Sequence, residues 1–311
     1  MSSYPQIPDP AYAKGVSAPF CGVLDACLIV AGGANFPDKP LLEGGAKKVY
    51  DDIWRFDGSA WECIGHLEDS TAYGATFQLP DALVFAGGSG QDKVYLLDSG
   101  GLRRLPSLPE LVSEAGASAC GERLYLAGAG KVYSCKAGEW QWDVLAEMPA
   151  PLIQPLLFAT SEWLYLWGGF NSDTLEVPSC GWKLSLSSPE DGWQPAPGVP
   201  DGGTFVGAAG VPLPDGRLAV VGGVNRDIFS RALHNTPEDR IPYLSKLPAE
   251  YRFRKTVYIF DPAGETWGGL LSDDACALAG PGLAFDGASL VVAGGEIKPG
   301  VRSPRIFSIK L

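Results

Sequence analysis

LIVAGG (Leu28 to Gly33), LVFAGG (Leu83 to Gly88), LYLAGA (Leu124 to Ala129), LYLWGG (Leu164 to Gly169), LAVVGG (Leu218 to Gly223) and LVVAGG (Leu290 to Gly295) are six versions of one phrase. Each is a short apolar run, rich in β-branched and aromatic residues, that stops at small residues. Four apolar residues without polar alternation read as a strand buried on both faces. Successive copies end 55, 41, 40, 54 and 72 residues apart, by subtraction of their last positions.

The flanks repeat as well. A strand of small residues precedes each copy, as in AYGATFQL (Ala72 to Leu79), and an aromatic-rich strand follows, as in DDIWRFD (Asp51 to Asp57) or KTVYIFD (Lys255 to Asp261). A fourth strand then opens on Trp or Leu, as in WECIGHL (Trp61 to Leu67) or WDVLAEMP (Trp142 to Pro149). Four strands repeating at about 40 residues form one blade of a β-propeller, and the compound pattern is that of the Kelch repeat. The longer spacings are the same unit with insertions. The glycines fall where strands converge on the hub and a Cβ would meet a neighbouring backbone. The aromatic residues are expected between blades, because no blade can bury both faces alone. The expected fold is therefore all-β: one six-bladed propeller domain over residues 1–311.

The last copy lacks an outer strand, since the chain ends soon after its third. Tyr4-Pro5-Gln6-Ile7-Pro8-Asp9-Pro10 reads like the outer-strand segment Leu102 to Pro109. Residues near 4–10 are thus expected to complete blade six, so that no open edge remains.

Composition agrees. Glycine (40) and proline (26) are abundant throughout, as many tight turns require. A net charge of −12 argues against nucleic acid or an anionic membrane as partner. The start MSSYPQIPDP lacks a basic n-region and an apolar h-region, and the seven cysteines have no framework spacing; free thiols in the cytoplasm are expected. His66 and His234 are far apart in the chain with no ligand-spaced partner, so no metal and no cofactor are expected.

The insertions lie near 34–48, 170–180, 224–254 and 296–304, between the second and third strands of blades one, four, five and six. That connection opens on one face in every blade, and these blades are consecutive in a closed ring. One face thus carries a crescent of long loops, where a site is expected. Residues 224–255 hold seven Lys/Arg against four Asp/Glu, and the first and last insertions are each net +1. Local positive charge on an acidic protein suggests steering of a small anionic ligand, although scattered surface lysines would give the same count.

At the crescent, Gly294-Gly295-Glu296-Ile297-Lys298-Pro299-Gly300-Val301-Arg302, Gly222-Gly223-Val224-Asn225-Arg226-Asp227-Ile228-Phe229 and Ala31-Gly32-Gly33-Ala34-Asn35-Phe36 resemble the Kelch-type N-acetylneuraminate epimerases, the sialic acid mutarotases. Blade order looks cyclically shifted relative to most of that family. The resemblance implies catalysis by Glu296 and Arg302: Glu296 as acid/base at the anomeric hydroxyl, Arg302 as a bidentate clamp on the sugar carboxylate. Asn225, Asn35, Gln154, Tyr73 and Lys298 are the further candidates for substrate binding, each with an alternative role as turn, cap or core residue. Where those relatives have two arginines, this chain has Thr71 and Leu152.

Two other classes stay open. A non-catalytic Kelch scaffold would bind a protein or carbohydrate and need no Glu–Arg pair on one short loop. A sialidase would need three converging arginines and a Tyr–Glu pair, which cannot be assigned here. A copper oxidase is disfavoured by the presence of only two histidines.

Overall fold

The second strand of each blade shows why the chain closes into a ring. In Cys27–Ala31, Ile29 and Ala31 pack against Leu83 and Phe85 of blade two, while Leu28 and Val30 pack against Val291 and Ala293 of blade six. Side chains alternate across a strand, so one apolar run serves two interfaces. The same division repeats: six core clusters each span one pair of neighbouring blades, and a seventh, smaller one joins Val177, Val206, Val224 and Ala279.

The computed structural model describes residues 1–311 and contains six four-stranded antiparallel sheets. The innermost strands are Phe20–Leu24, Ala75–Leu79, Gly116–Cys120, Leu152–Ala159, Ala208–Pro212 and Gly282–Phe285. Each touches the next, and the last touches the first, so the six-bladed propeller has no gap between blades.

The strand that completes blade six is displaced from the expected one. Ser2 and Ser3 pair with Ser308 and Phe307, and the Tyr4 N–H donates to Ile306 O at 2.9 Å. Residues 5–10 leave the sheet. The reason is chemical: Pro5, Pro8 and Pro10 supply no N–H donors to a ladder. They are held instead by side chains, with Trp61 Nε1 donating to Pro5 O at 2.8 Å and Ile7 buried in the blade six/blade one core.

The paired glycines bond neighbouring blades. Gly33 N–H donates to Thr71 O of blade two, Gly88 to Val112 O, Gly223 to Leu278 O and Gly295 to Val16 O, at 2.8–2.9 Å. Gly32 has φ +62°, and a Cβ there would lie 2.3 Å from Thr71 O. No other residue fits this approach.

The insertion near 170–180 begins as a continuation of the strand Trp163–Asn171, and the other three add structure of their own. Two are small ribbons, Ala34–Asn35 with Lys48–Val49 and Glu296–Lys298 with Val301–Arg302. The third, after Gly223, forms the short helices Arg226–Leu233 and Arg240–Leu244, which an all-β reading did not foresee. No helix is long and apolar enough to cross a membrane.

Candidate active site

A cavity of about 940 Å³ runs along the propeller axis, walled by the six innermost strands. One end lies at the face of the long loops. There, six residues have left-handed backbone: Ala18, Tyr73, Glu114, Gly207 and Gly280 just before their inner strands, and Gln154 near the start of Leu152–Ala159. They form an annulus. Tyr73 N–H donates to Ala18 O, Glu114 to Tyr73 O, Gln154 to Glu114 O, Gly280 to Gly207 O and Ala18 to Gly280 O, at 2.6–3.0 Å. All six line the cavity. Non-glycine residues at positive φ are costly, and here a chain of five bonds, open only between Gln154 and Gly207, holds them there.

The annulus is asymmetric. Blades two, three and four present Tyr73, Glu114 and Gln154, whereas blades five, six and one present Gly207, Gly280 and Ala18. Gln154 Nε2 donates to Glu114 Oε1 at 3.2 Å. The polar wall therefore faces an open half, into which the loops of blades five and six bring Val224, Phe229 and Glu296.

Glu296 is held on its main chain and at one carboxylate oxygen. Its N–H donates to Ala279 O at 2.7 Å, and the Ala279 N–H returns a bond at 2.9 Å. Its Oε1 accepts from Gly300 N–H at 2.9 Å and from Arg302 Nη1. Gly300 turns the ribbon at φ +81°, and a Cβ there would meet Leu41 at 2.5 Å. Oε2 carries no protein hydrogen bond. Glu296 thus lines the cavity, with one carboxylate oxygen anchored and the other without a protein partner, its side chain 25% exposed.

Arg302 stands behind Glu296 rather than beside it. Its side chain is 3% exposed, its Nε donates to Ala34 O at 3.1 Å, and its guanidinium lies over the Phe36 ring at 5.2 Å. It does not line the cavity. As placed, its guanidinium bonds Glu296 and Ala34 O and reaches the cavity only through Glu296.

Tyr73 and Gln154 line the cavity as candidates for ligand contact, and the other three face elsewhere. Asn35 is 0% exposed; its amide donates to Ala11 O and Gly15 O at 2.9 Å and accepts from Tyr50 Oη at 2.8 Å. It is a core residue. Asn225 caps the helix Arg226–Leu233, accepting from Ile228 N–H at 3.1 Å. Lys298 donates to Leu244 O and Lys246 O at 3.0 and 2.8 Å, closing the end of helix Arg240–Leu244 and tying the long insertion to the Glu296 ribbon.

Three residues near the site were missed. Glu114 occupies the same repeat position as Tyr73 and Gln154, which was the available signal. Tyr243 and Tyr251, from the insertion, stack edge to face at 5.2 Å. Burial pushes the Tyr243 hydroxyl up to about 12, with smaller contributions from Tyr251 and Glu296. Nothing in the loop's pattern marked them.

His66 has more company than its sequence position suggested. Asp52, Cys63 and His66 bring one donor atom each to within 4.8 Å of one another, on the two outer strands of blade one. Two of the three are exposed, and none lines the cavity. Thr71 and Leu152 are both buried, so neither offers polar reach into the cavity.

Comparison with known proteins follows the same lines. The family model described as N-acetylneuraminate epimerase matches residues 105–311, about two thirds of the chain. A Brucella melitensis N-acetylneuraminate epimerase is 33% identical over 118 residues, covering 34% of this chain and 30% of that one. The Pasteurella multocida protein of the same name is 26% identical over 216 residues, covering 64% and 57%. The chain thus spans between about a third and just over half of the length of these curated relatives. A solved structure titled "Structure of YjhT" superposes with a TM-score of 0.58 at 22% identity, over 66% of this chain and 65% of that one, and shares the fold. The chain belongs to the N-acetylneuraminate epimerase family.

Proposed function

We propose that this protein is an isomerase that interconverts the anomers of a pyranose held at the loop end of the cavity, with Glu296 as the proton-transfer group. The observation that carries this reading is the carboxylate of Glu296: fixed at Oε1 by Gly300 and Arg302, free at Oε2, and set in the wall of a cavity large enough for a sugar.

The step needs little more. A base takes the proton of the anomeric hydroxyl, that C–O becomes C=O, the bond from the anomeric carbon to the ring oxygen breaks, and the ring oxygen receives a proton. Reclosure on the opposite face of the carbonyl gives the other anomer, and the carboxylate is regenerated. One carboxylate serves as base and then as acid, provided it lies within hydrogen-bond reach of both oxygens. Arg302 enters as a positioning residue that keeps Oε1 occupied. Gln154 and Tyr73, on the opposite wall, are suited to hydroxyl groups.

N-acetylneuraminate is the sugar in the relatives' name and the first to be tested. Time-resolved proton NMR of a freshly dissolved single anomer tests the reaction. The expected result is faster equilibration with no new sugar formed. Unchanged rates for every sugar tried would remove this function and leave a propeller that binds without catalysis.

A further inference from the structure

Resting on the mutarotase reading, we propose that Glu114 determines specificity by accepting hydrogen bonds from the ring substituents opposite the anomeric carbon, which in N-acetylneuraminate are the C4 hydroxyl and the C5 acetamido N–H. Glu114 stands on the annulus in blade three, half-buried and lining the cavity. Glu296 lines the same cavity from the ribbon of blade six, its main chain bonded to Ala279, next to the annulus residue Gly280. In a closed ring of six blades, the third and the sixth stand opposite each other. The two residues therefore approach the loop end of the cavity from opposite sides. A pyranose is also a ring of six atoms. When its anomeric carbon C2 and its ring oxygen are turned toward Glu296, as proton transfer there demands, the atoms directly across are C5 and C4. Those two carbons face blade three.

Glu114 is held in backbone and side chain. Its N–H donates to Tyr73 O at 2.8 Å and its C=O accepts from Gln154 N–H at 3.0 Å, which fixes the residue at φ +55°. A glutamate in this region is strained, and such strain persists where the surroundings over-determine it. Its Oε1 accepts from Gln154 Nε2 at 3.2 Å, so the carboxylate is aimed, and Oε2 is left to accept from a ligand. A carboxylate calls for hydroxyl or amide donors, and a bond from one of them is charge-assisted. Charge also selects which end of the sugar Glu114 meets. Glu296 is paired with the guanidinium of Arg302, whereas Glu114 is bonded to a neutral amide. A 2-keto sugar acid carries its own carboxylate on the anomeric carbon. That group is repelled more by Glu114 than by the Glu296–Arg302 pair, which disfavours the reversed pose. Acceptor and field thus agree: donors go to blade three, and the anomeric end goes to blade six.

The test uses N-acetylneuraminate, its 4-deoxy analogue and the analogue with hydrogen in place of the C5 acetamido group. Anomer equilibration of each is followed by NMR with wild-type protein and with Glu114→Gln, after thermal melts of both. In the variant, the amide must turn its oxygen to Gln154 Nε2, so it presents a donor where the carboxylate presented an acceptor. In the wild type, at least one analogue should lose about tenfold or more in kcat/KM relative to N-acetylneuraminate, as loss of a hydrogen bond to a charged group implies, and the loss should fall on KM. In Glu114→Gln that penalty should shrink below about threefold, because the partner of the missing donor is gone. A merely structural role for Glu114 would slow all three sugars alike and leave the penalty unchanged. Equal kcat/KM for the three sugars in the wild type overturns the proposal whether or not the variant folds, and an equal penalty in both proteins overturns it too. Either result leaves the mutarotase reading intact, since N-acetylneuraminate is still turned over. Wild-type protein that accelerates none of the three removes the proposal together with N-acetylneuraminate as substrate.

Discussion

Replacing Arg302 with lysine separates two roles that the same residue could play. As placed, Arg302 makes two bonds in different directions, from Nη1 to Glu296 Oε1 and from Nε to Ala34 O at 3.1 Å, and its flat face covers Phe36. A lysine keeps the charge but radiates its donors from one atom, so it cannot reproduce that fork. One charge-assisted bond is lost, about 1.5–3 kcal/mol. If that energy holds Glu296 in its reactive orientation, kcat falls about 10- to 100-fold at about 1.4 kcal/mol per factor of ten. KM should change by less than about threefold, because Arg302 is not part of the cavity lining. The midpoint of thermal unfolding should drop by about 2–5 °C. Progress curves from one pure anomer over a range of sugar concentrations give kcat and KM, and a thermal melt gives the rest. A tenfold or larger rise in KM with kcat unchanged would refute this reasoning, since it would place Arg302 on the substrate.

Three further outcomes follow from the structure. Deleting residues 1–7 removes the Ser2–Ser3 pairing, the Trp61–Pro5 bond and buried Ile7, and should lower the unfolding midpoint and promote self-association through the uncovered edge of Ile306–Lys310; size-exclusion chromatography and melting check it, and a monomer of unchanged midpoint contradicts it. All seven cysteines are free thiols, and exposed Cys63 and Cys180 should react first with a thiol reagent at pH 8. Burial raises the Cys21 thiol to about 12 and the Cys276 thiol to about 11, so both should stay unmodified until the protein unfolds, which peptide mapping resolves. Stability should decline at alkaline pH: burial raises Tyr243 to about 12 and moves Tyr12, Tyr133 and Tyr165 up as well. The folded state keeps protons that the unfolded chain releases from pH 10 upward, so stability is full below pH 10 and lost as pH rises toward 12; a melting temperature flat from pH 9 to 11.5 would contradict this.

The sequence pattern carried the blades because every second strand must bury both faces, and that demand writes the same apolar phrase six times. It failed at the last strand for an equally local reason. Tyr4 to Pro10 matched an outer strand by outline, but its three prolines cannot donate, while Ser2 and Ser3 have no pattern to notice. The Glu296–Arg302 pair was legible from one short motif, yet the motif says nothing of which way Arg302 points; that depends on Ala34 and Phe36 from another blade. Asn35 and Asn225 occupy matching positions after paired glycines, and the fold buries one and makes a helix cap of the other. Loop charge overstates the number of free cations, because carbonyls at a helix end and across blades accept from Lys298 and Arg226, which a count treats as free. Glu114 was readable in principle, since the repeat aligns it with Tyr73 and Gln154, but the annulus that gives the alignment meaning exists only in three dimensions.

The most direct measurement compares wild-type protein with Glu296→Gln. The amide keeps the size of the side chain and its bonds from Gly300 and Arg302 through an oxygen, but it cannot take a proton. Both proteins are checked for equal unfolding midpoints, and the rate of anomer equilibration is then followed by proton NMR on whichever sugar the wild type turns over fastest. The expected result is a loss of about 10²-fold or more, to near the spontaneous rate, with sugar binding retained within a few-fold. Full activity in Glu296→Gln would contradict it and move the proton-transfer role away from the blade-six ribbon.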